Sequence, residues 1–136
     1  MSQSILINAP LAKVWDALIN PAVIKQYLFG TEAISDWKAG SAIIYKGMWE
    51  GKEYADKGQI LTLIPEKILA TTYWSSFSGL PDAPENYQKV TYEITPENNA
   101  IKLTIKQDNI LSQEAKAHSE QNWKTVLETI KKILEA

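Results

Sequence analysis

The feature that most constrains the fold is a series of strand-like segments joined by short links. These segments are rich in β-branched and aromatic residues, and they read GSAIIYKGMW, EYADKGQILTLI, KILATTYWSS, YQKVTYEI and AIKLTIKQ. Gly51 is a turn candidate between the first two, and Asn98 and Asn99 can adopt positive φ angles between the last two. Because parallel strands need long crossovers, the short links predict an antiparallel meander.

One long helix is predicted after the strands, over residues 112–135. Ser112 can cap its first turn. Its apolar residues recur at helical spacing and form a single stripe, made of Trp123, Val126, Leu127, Ile130 and Leu134. The chain is therefore expected to end in a helix that packs one face on the sheet.

Two short helices are predicted before most of the sheet. The segment SILIN at 4–8 is typical of a strand, and NAPLAKVWDALINPAVIKQYLFG follows it with two helical patterns. Asn20 can cap the second helix, Pro21 fits its first position, and Gly30 can end it.

These lengths together predict a cavity. A helix of about 23 residues spans roughly 35 Å, enough to cross a sheet whose ten-residue strands span roughly 33 Å. A twisted sheet cannot contact a straight helix along its full length, so a hollow remains unless other elements close it. The two short helices are placed to prop the sheet edge and narrow one mouth of that hollow.

Composition excludes several classes of function. The 136 residues include 14 basic residues, all lysine, and carry a net charge of −2, which argues against nucleic-acid binding. There is no cysteine, and no spacing of carboxylates and the one histidine suggests a metal site. Without a signal peptide or a membrane-length apolar run, we expect one soluble, cytoplasmic domain over residues 1–136, with no cofactor.

The chain also resembles a known superfamily. The matching pieces are INAPLAKVWDALINPAVIKQYLFG, SDWKAGSAIIY, GQILTLIPEKILATTYW, VTYEITPENNAIKLTIKQDN and NWKTVLETIKKIL. Together they are similar to the START-like (SRPBCC, Bet v 1-like) superfamily, and most similar to its branch named after the activator of the heat-shock-protein-ninety ATPase. The resemblance implies an α+β helix-grip fold, in which a curved antiparallel sheet wraps around the C-terminal helix and encloses a ligand cavity. Many relatives have histidine where this chain has Gln107 and an aromatic residue where it has Thr72.

Strand alternation and this resemblance together predict which side chains face the cavity. The inward set includes Ile43, Ile68, Ala70, Val90, Ile94, Leu103 and Ile105. The candidate ligand-binding residues are Tyr27, Tyr45, Trp49, Thr72, Trp74, Tyr92, Gln107, Trp123 and Leu127.

The polar candidates have alternative interpretations. Gln107 and Thr72 lie on an apparently buried face, so each needs a partner from the protein, from water or from a ligand. His118 is expected to point away from the sheet into solvent. Asp82 and Glu85 could form a paired-carboxylate site, but turn capping in a solvated loop is the simpler explanation.

Three functions fit this sequence. The first is a small binding protein that holds an apolar, aromatic or lipid-like ligand in the cavity. The second, implied by the branch name, is stimulation of a chaperone ATPase in a stress response. The third is an enzyme, because relatives include cyclases and hydrolases, although the absence of arginine, cysteine and an inward histidine weakens that case. We expect a monomer or a homodimer.

Overall fold

The computed structural model describes residues 1–28, 30–49, 51–75, 79–110 and 112–135. Its strands are β1 (Ser2–Ile7), β2 (Glu32–Ser35), β3 (Ala42–Trp49), β4 (Lys52–Ile64), β5 (Ile68–Tyr73), β6 (Gln88–Glu97) and β7 (Ala100–Asp108). Its helices are α1 (Leu11–Ile19), α2 (Pro21–Tyr27) and α3 (Gln113–Leu134), and a short 3₁₀ turn covers Pro84–Asn86.

The seven strands form one antiparallel sheet in the order β1-β7-β6-β5-β4-β3-β2. The apolar stripe of α3 is buried in the same cluster as the alternating apolar residues of β6 and β7. This arrangement confirms the predicted α+β helix-grip fold, with two short helices after the first strand. The short strand β2, at the sheet edge, was not identified from its own residues.

The turn signals in the sequence correspond to real turns. Asn98 and Asn99 have φ angles of 48° and 65° and form the two-residue link between β6 and β7. Gly51 has φ of 80° between β3 and β4, a conformation that costs glycine little. Both hairpins fix the register of the strands that they join.

Capping defines the short helices and the start of α3. The Asn20 side chain accepts a hydrogen bond from the Ala22 amide at 3.0 Å, with Pro21 in the first position of α2. Tyr27 is buried, and its hydroxyl donates to the Ala17 carbonyl at 2.8 Å, which ties α2 to α1. Ser112 accepts from the Ala115 amide at 3.0 Å, as predicted.

The predicted facing of β5 is wrong by one residue. Thr71 and Tyr73 line the space under α3, whereas the Thr72 hydroxyl accepts a hydrogen bond from the backbone amide of Gln59 at 2.8 Å. Regular pairing with β6 places Thr71 opposite Val90, which also lines the cavity, and Thr72 opposite Lys89. Because the side chains of a strand alternate between its two faces, the assignment of Thr72 and Trp74 as inward residues is wrong.

Candidate ligand-binding cavity

A cavity of about 720 Å³ lies between the sheet and α3. Its wall is formed by five strands, by the segment after α2 and by α3 between His118 and Val126. The lining residues are Leu28, Thr31, Tyr45, Met48, Tyr54, Asp56, Thr71, Tyr73, Ser75, Val90, Tyr92, Gln107, His118, Ser119, Asn122, Trp123 and Val126. A space of this size falls in the range of small-molecule sites.

Aromatic rings form much of the wall. The ring centroids of Tyr45 and Tyr73 are 5.9 Å apart in an edge-to-face arrangement, and those of Tyr92 and Trp123 are 6.0 Å apart in the same geometry. Such pairs hold each other in place and still leave flat apolar surface toward the cavity. The wall is thus suited to apolar and aromatic molecules.

The aromatic wall also carries a buried carboxylate. Asp56, 6% exposed, accepts a hydrogen bond from the Tyr73 hydroxyl at 2.7 Å. Tyr45 is its direct cross-strand partner in the β3–β4 register, so the two side chains share one face. Nearby, the hydroxyls of Thr31 and Tyr54 are hydrogen-bonded at 2.6 Å.

Two tyrosines on the cavity wall have hydroxyls with no hydrogen-bond partner among the described residues. Within the part of the chain that the structure describes, the hydroxyls of Tyr45 and Tyr92 make no hydrogen bond to another side chain or to the backbone. Burial raises the pKa of both, and the charge of Asp56 raises that of Tyr45 further. Both phenols therefore remain protonated at neutral pH and can donate to or accept from a bound molecule.

Gln107 connects the sheet to α3 at one end of the cavity. Its Oε1 accepts hydrogen bonds from the Ser119 hydroxyl and from Trp123 Nε1, the latter at 2.9 Å, and its Nε2 donates to Gln88. The predicted need for a partner is thus met by protein groups on two elements. This network fixes the orientation of the Trp123 ring over the cavity.

The nine predicted binding residues do not all lie on the cavity wall. Four of them line the cavity, namely Tyr45, Tyr92, Gln107 and Trp123. Tyr27 and Leu127 are buried in the adjoining core. Thr72 and Trp74 do not contribute to the cavity wall, and the side chain of Trp49 lies outside the described part. That any of them binds a ligand stays a prediction.

Trp74 belongs instead to a half-buried cluster at the surface. Its ring stacks on Tyr87 with centroids 6.5 Å apart, and its Nε1 donates to the Leu80 carbonyl at 3.3 Å. Asp82 forms an ion pair with Lys57 and accepts from the Tyr87 hydroxyl at 2.5 Å, so it serves this loop rather than a carboxylate pair. Lys57 and Tyr87 together lower the pKa of Asp82.

Several lining residues were missed in the sequence. Asp56 and Tyr54 alternate in phase with the buried Ile60, which is the signal that could have located them. Thr71 and Tyr73 were not predicted to line the cavity because the facing of β5 was assigned wrongly by one residue. His118 is exposed as expected, but it lies on the cavity wall and not on the far side of α3.

The described ranges contain no group of three or more histidine and acidic side chains placed to hold a metal ion. No helix in them is both long and apolar enough to cross a membrane.

A seven-stranded antiparallel sheet that encloses a cavity against a C-terminal helix defines a helix-grip domain. The family profile described as "Activator of Hsp90 ATPase homolog 1-like protein" matches residues 8–135. The chain belongs to this family.

Solved structures agree with that assignment. A protein of Cytophaga hutchinsonii, determined in solution, is 47% identical and has a TM-score of 0.86, with 98% of this chain and 92% of that chain covered. A Mesorhizobium loti protein is 20% identical with a TM-score of 0.81, covering 99% of this chain and 96% of that one. The Aha1 dimer of Colwellia psychrerythraea is 19% identical with a TM-score of 0.73, covering 99% and 95%. At such low identity, the last two show the fold alone. No match to a curated protein was found.

Proposed function

We propose that this protein is a small binding protein whose cavity holds an apolar, aromatic ligand. The observation that carries the proposal is the 720 Å³ space, on whose wall the hydroxyls of Tyr45 and Tyr92 have no hydrogen-bond partner among the described residues. A dry packed core would leave such groups unsatisfied at a cost in stability, whereas a ligand can satisfy them. The rings provide contact area, and the phenols provide orientation.

Binding of a neutral apolar dye tests this proposal. N-phenyl-1-naphthylamine should bind saturably at one site, with an increase in dye fluorescence. Thr71→Trp, which extends an indole into the cavity from its wall, should weaken binding by about tenfold, which is about 1.4 kcal/mol.

Thr72→Trp is the matched control, because it is the same change one residue along β5 on the opposite face. It should leave the dissociation constant within about twofold of the parent. Both variants should first be shown to unfold cooperatively. Equal effects of the two substitutions, or an absence of saturable binding by the parent protein, would contradict the proposal.

The family description favours a second candidate, stimulation of a chaperone ATPase. In that case the protein alone should accelerate ATP hydrolysis by the heat-shock-protein-ninety chaperone of the same cell. An unchanged rate at saturating protein would remove this candidate. The Colwellia relative is described as a dimer, and sedimentation of this chain would decide between the monomer and the homodimer that the sequence leaves open.

A further inference from the structure

The charge of the cavity wall is acidic. Among the described residues that line it, Asp56 is the one carboxylate, His118 lies on the exposed side, and there is no lysine. The chain as a whole has no arginine. Such a wall offers little to a carboxylate or a phosphate, which lysine and arginine usually recognise.

The surroundings of Asp56 are those of a site for a positive charge. Its carboxylate is buried, and Tyr73 and Tyr45 lie beside it with ring centroids 5.9 Å apart. Aromatic faces attract a cation within about 6 Å of the ring centroid, and the attraction grows when water is excluded. A buried carboxylate that lines the cavity beside these aromatic rings therefore favours a nitrogen cation over a neutral group.

Tyr45 and Tyr92, whose hydroxyls have no hydrogen-bond partner among the described residues, restrict the class of ligand further. Tyr92 is 9% exposed, and its hydroxyl oxygen can accept a hydrogen bond from an ammonium N–H, as can that of Tyr45. The same phenols could donate to an anion, but an anion in this space would also meet the negative charge of Asp56. The balance of these interactions favours the cation.

We propose that the cavity selects hydrophobic amines, meaning apolar or aromatic molecules with one protonated or quaternary nitrogen, over carboxylates of similar size. This inference rests on the proposed binding function and specifies its ligand class. The nitrogen lies next to Asp56 on the cavity side of the Tyr45 and Tyr73 rings, and the apolar body extends toward Tyr92 and Trp123.

Three matched probes test the selection. They share a naphthalene body and differ in charge: 2-(1-naphthyl)ethylamine, 2-(1-naphthyl)ethanol and 1-naphthylacetate. Isothermal titration calorimetry at neutral pH should show the amine binding about tenfold or more tighter than the acetate, with the alcohol between them. If the acetate binds as tightly as the amine, the inference is wrong while the binding function stands. If none of the three binds, both are wrong.

Two substitutions assign the effect to Asp56. Asp56→Asn retains an oxygen for the Tyr73 hydroxyl and should reduce the preference for amine over acetate to about threefold or less. Asp108→Asn, at an exposed position on β7, changes net charge by the same amount and should leave the preference intact. Loss of the preference in both variants would attribute it to overall charge and overturn the inference. If Asp56→Asn does not fold, the order of the three dissociation constants measured for the parent protein decides whether the cavity prefers amines.

Discussion

Replacing Gln107 with leucine should destabilise the protein far more than the same change at an exposed glutamine. Gln107 is 8% exposed and exchanges hydrogen bonds with Gln88, Ser119 and Trp123. Leucine has a similar size, so the substitution leaves little empty space. The main effect is the loss of polar contacts between β7, β6 and α3.

The magnitude follows from counting those contacts. Each intramolecular hydrogen bond contributes about 0.5–1.5 kcal/mol net, and a buried partner left unsatisfied adds to the loss. Three bonds therefore predict a decrease of about 2–4 kcal/mol in the free energy of unfolding. The half-buried positions of Ser119 and Trp123 let water reach both groups in part, which keeps the loss below that of a fully enclosed network.

Urea denaturation followed by far-UV circular dichroism measures this change without relying on tryptophan emission. Gln59→Leu is the control, because Gln59 is exposed and its side-chain amide donates one hydrogen bond, to the Gly40 carbonyl at 3.1 Å. This substitution should lower the free energy of unfolding by about 0.5 kcal/mol or less. A double-mutant cycle with Trp123→Phe should give a coupling energy of about 0.5–1.5 kcal/mol for the Trp123 bond. If Gln107→Leu costs no more than Gln59→Leu, the network does not hold α3 to the sheet.

Two further predictions concern close packing and alkaline pH. Gly58→Ala should cost about 3 kcal/mol or more in urea denaturation, because a Cβ there would lie 1.7 Å from the Thr72 carbonyl oxygen. Gly40→Ala, which meets no atom within 4 Å but has φ of 89°, should cost only about 1–2 kcal/mol, and equal losses would contradict the packing argument. Burial raises the pKa of four tyrosines above the ordinary value of 10.0, namely Tyr27, Tyr45, Tyr73 and Tyr92. Their contribution to the free energy of unfolding is therefore complete below pH 10 and is lost as the pH rises from there toward their pKa values in the folded protein. Absorbance at 295 nm should show these tyrosines ionising together with unfolding, and their free titration near pH 10 in the folded protein would refute this.

The parts of the fold that were predictable from sequence have strong local signals. In β6 and β7, large apolar residues alternate with polar ones, so Val90, Ile94 and Leu103 could be assigned to the core, where the structure has them. Asn98 and Asn99 mark a turn because they tolerate positive φ, and Ser112 marks a helix start because its hydroxyl can accept from a free amide.

Strand β5 lacks such a signal. Its centre is Ala70, Thr71 and Thr72, three small residues with little contrast in polarity. Its facing is seen only from its pairing, which places Thr71 opposite Val90 of β6, and such pairing depends on contacts between residues distant in the sequence. The assignment of Thr72 and Trp74 to the cavity therefore failed, although the strand itself was predicted.

The position of the cavity is indicated in the sequence by polar residues at inward-facing strand positions. Asp56 on β4, Thr71 on β5 and Gln107 on β7 all point under α3, where a solid core would carry leucine or isoleucine. Each would be costly to bury in a dry interior, and the cost is avoided where hydrogen-bond partners or an open space are present. Gln107 has hydrogen-bond partners, whereas the Tyr45 and Tyr92 hydroxyls face an open space. A conflict between strand alternation and residue polarity that recurs on three strands thus indicates a hollow, and such conflicts are where functional sites are expected.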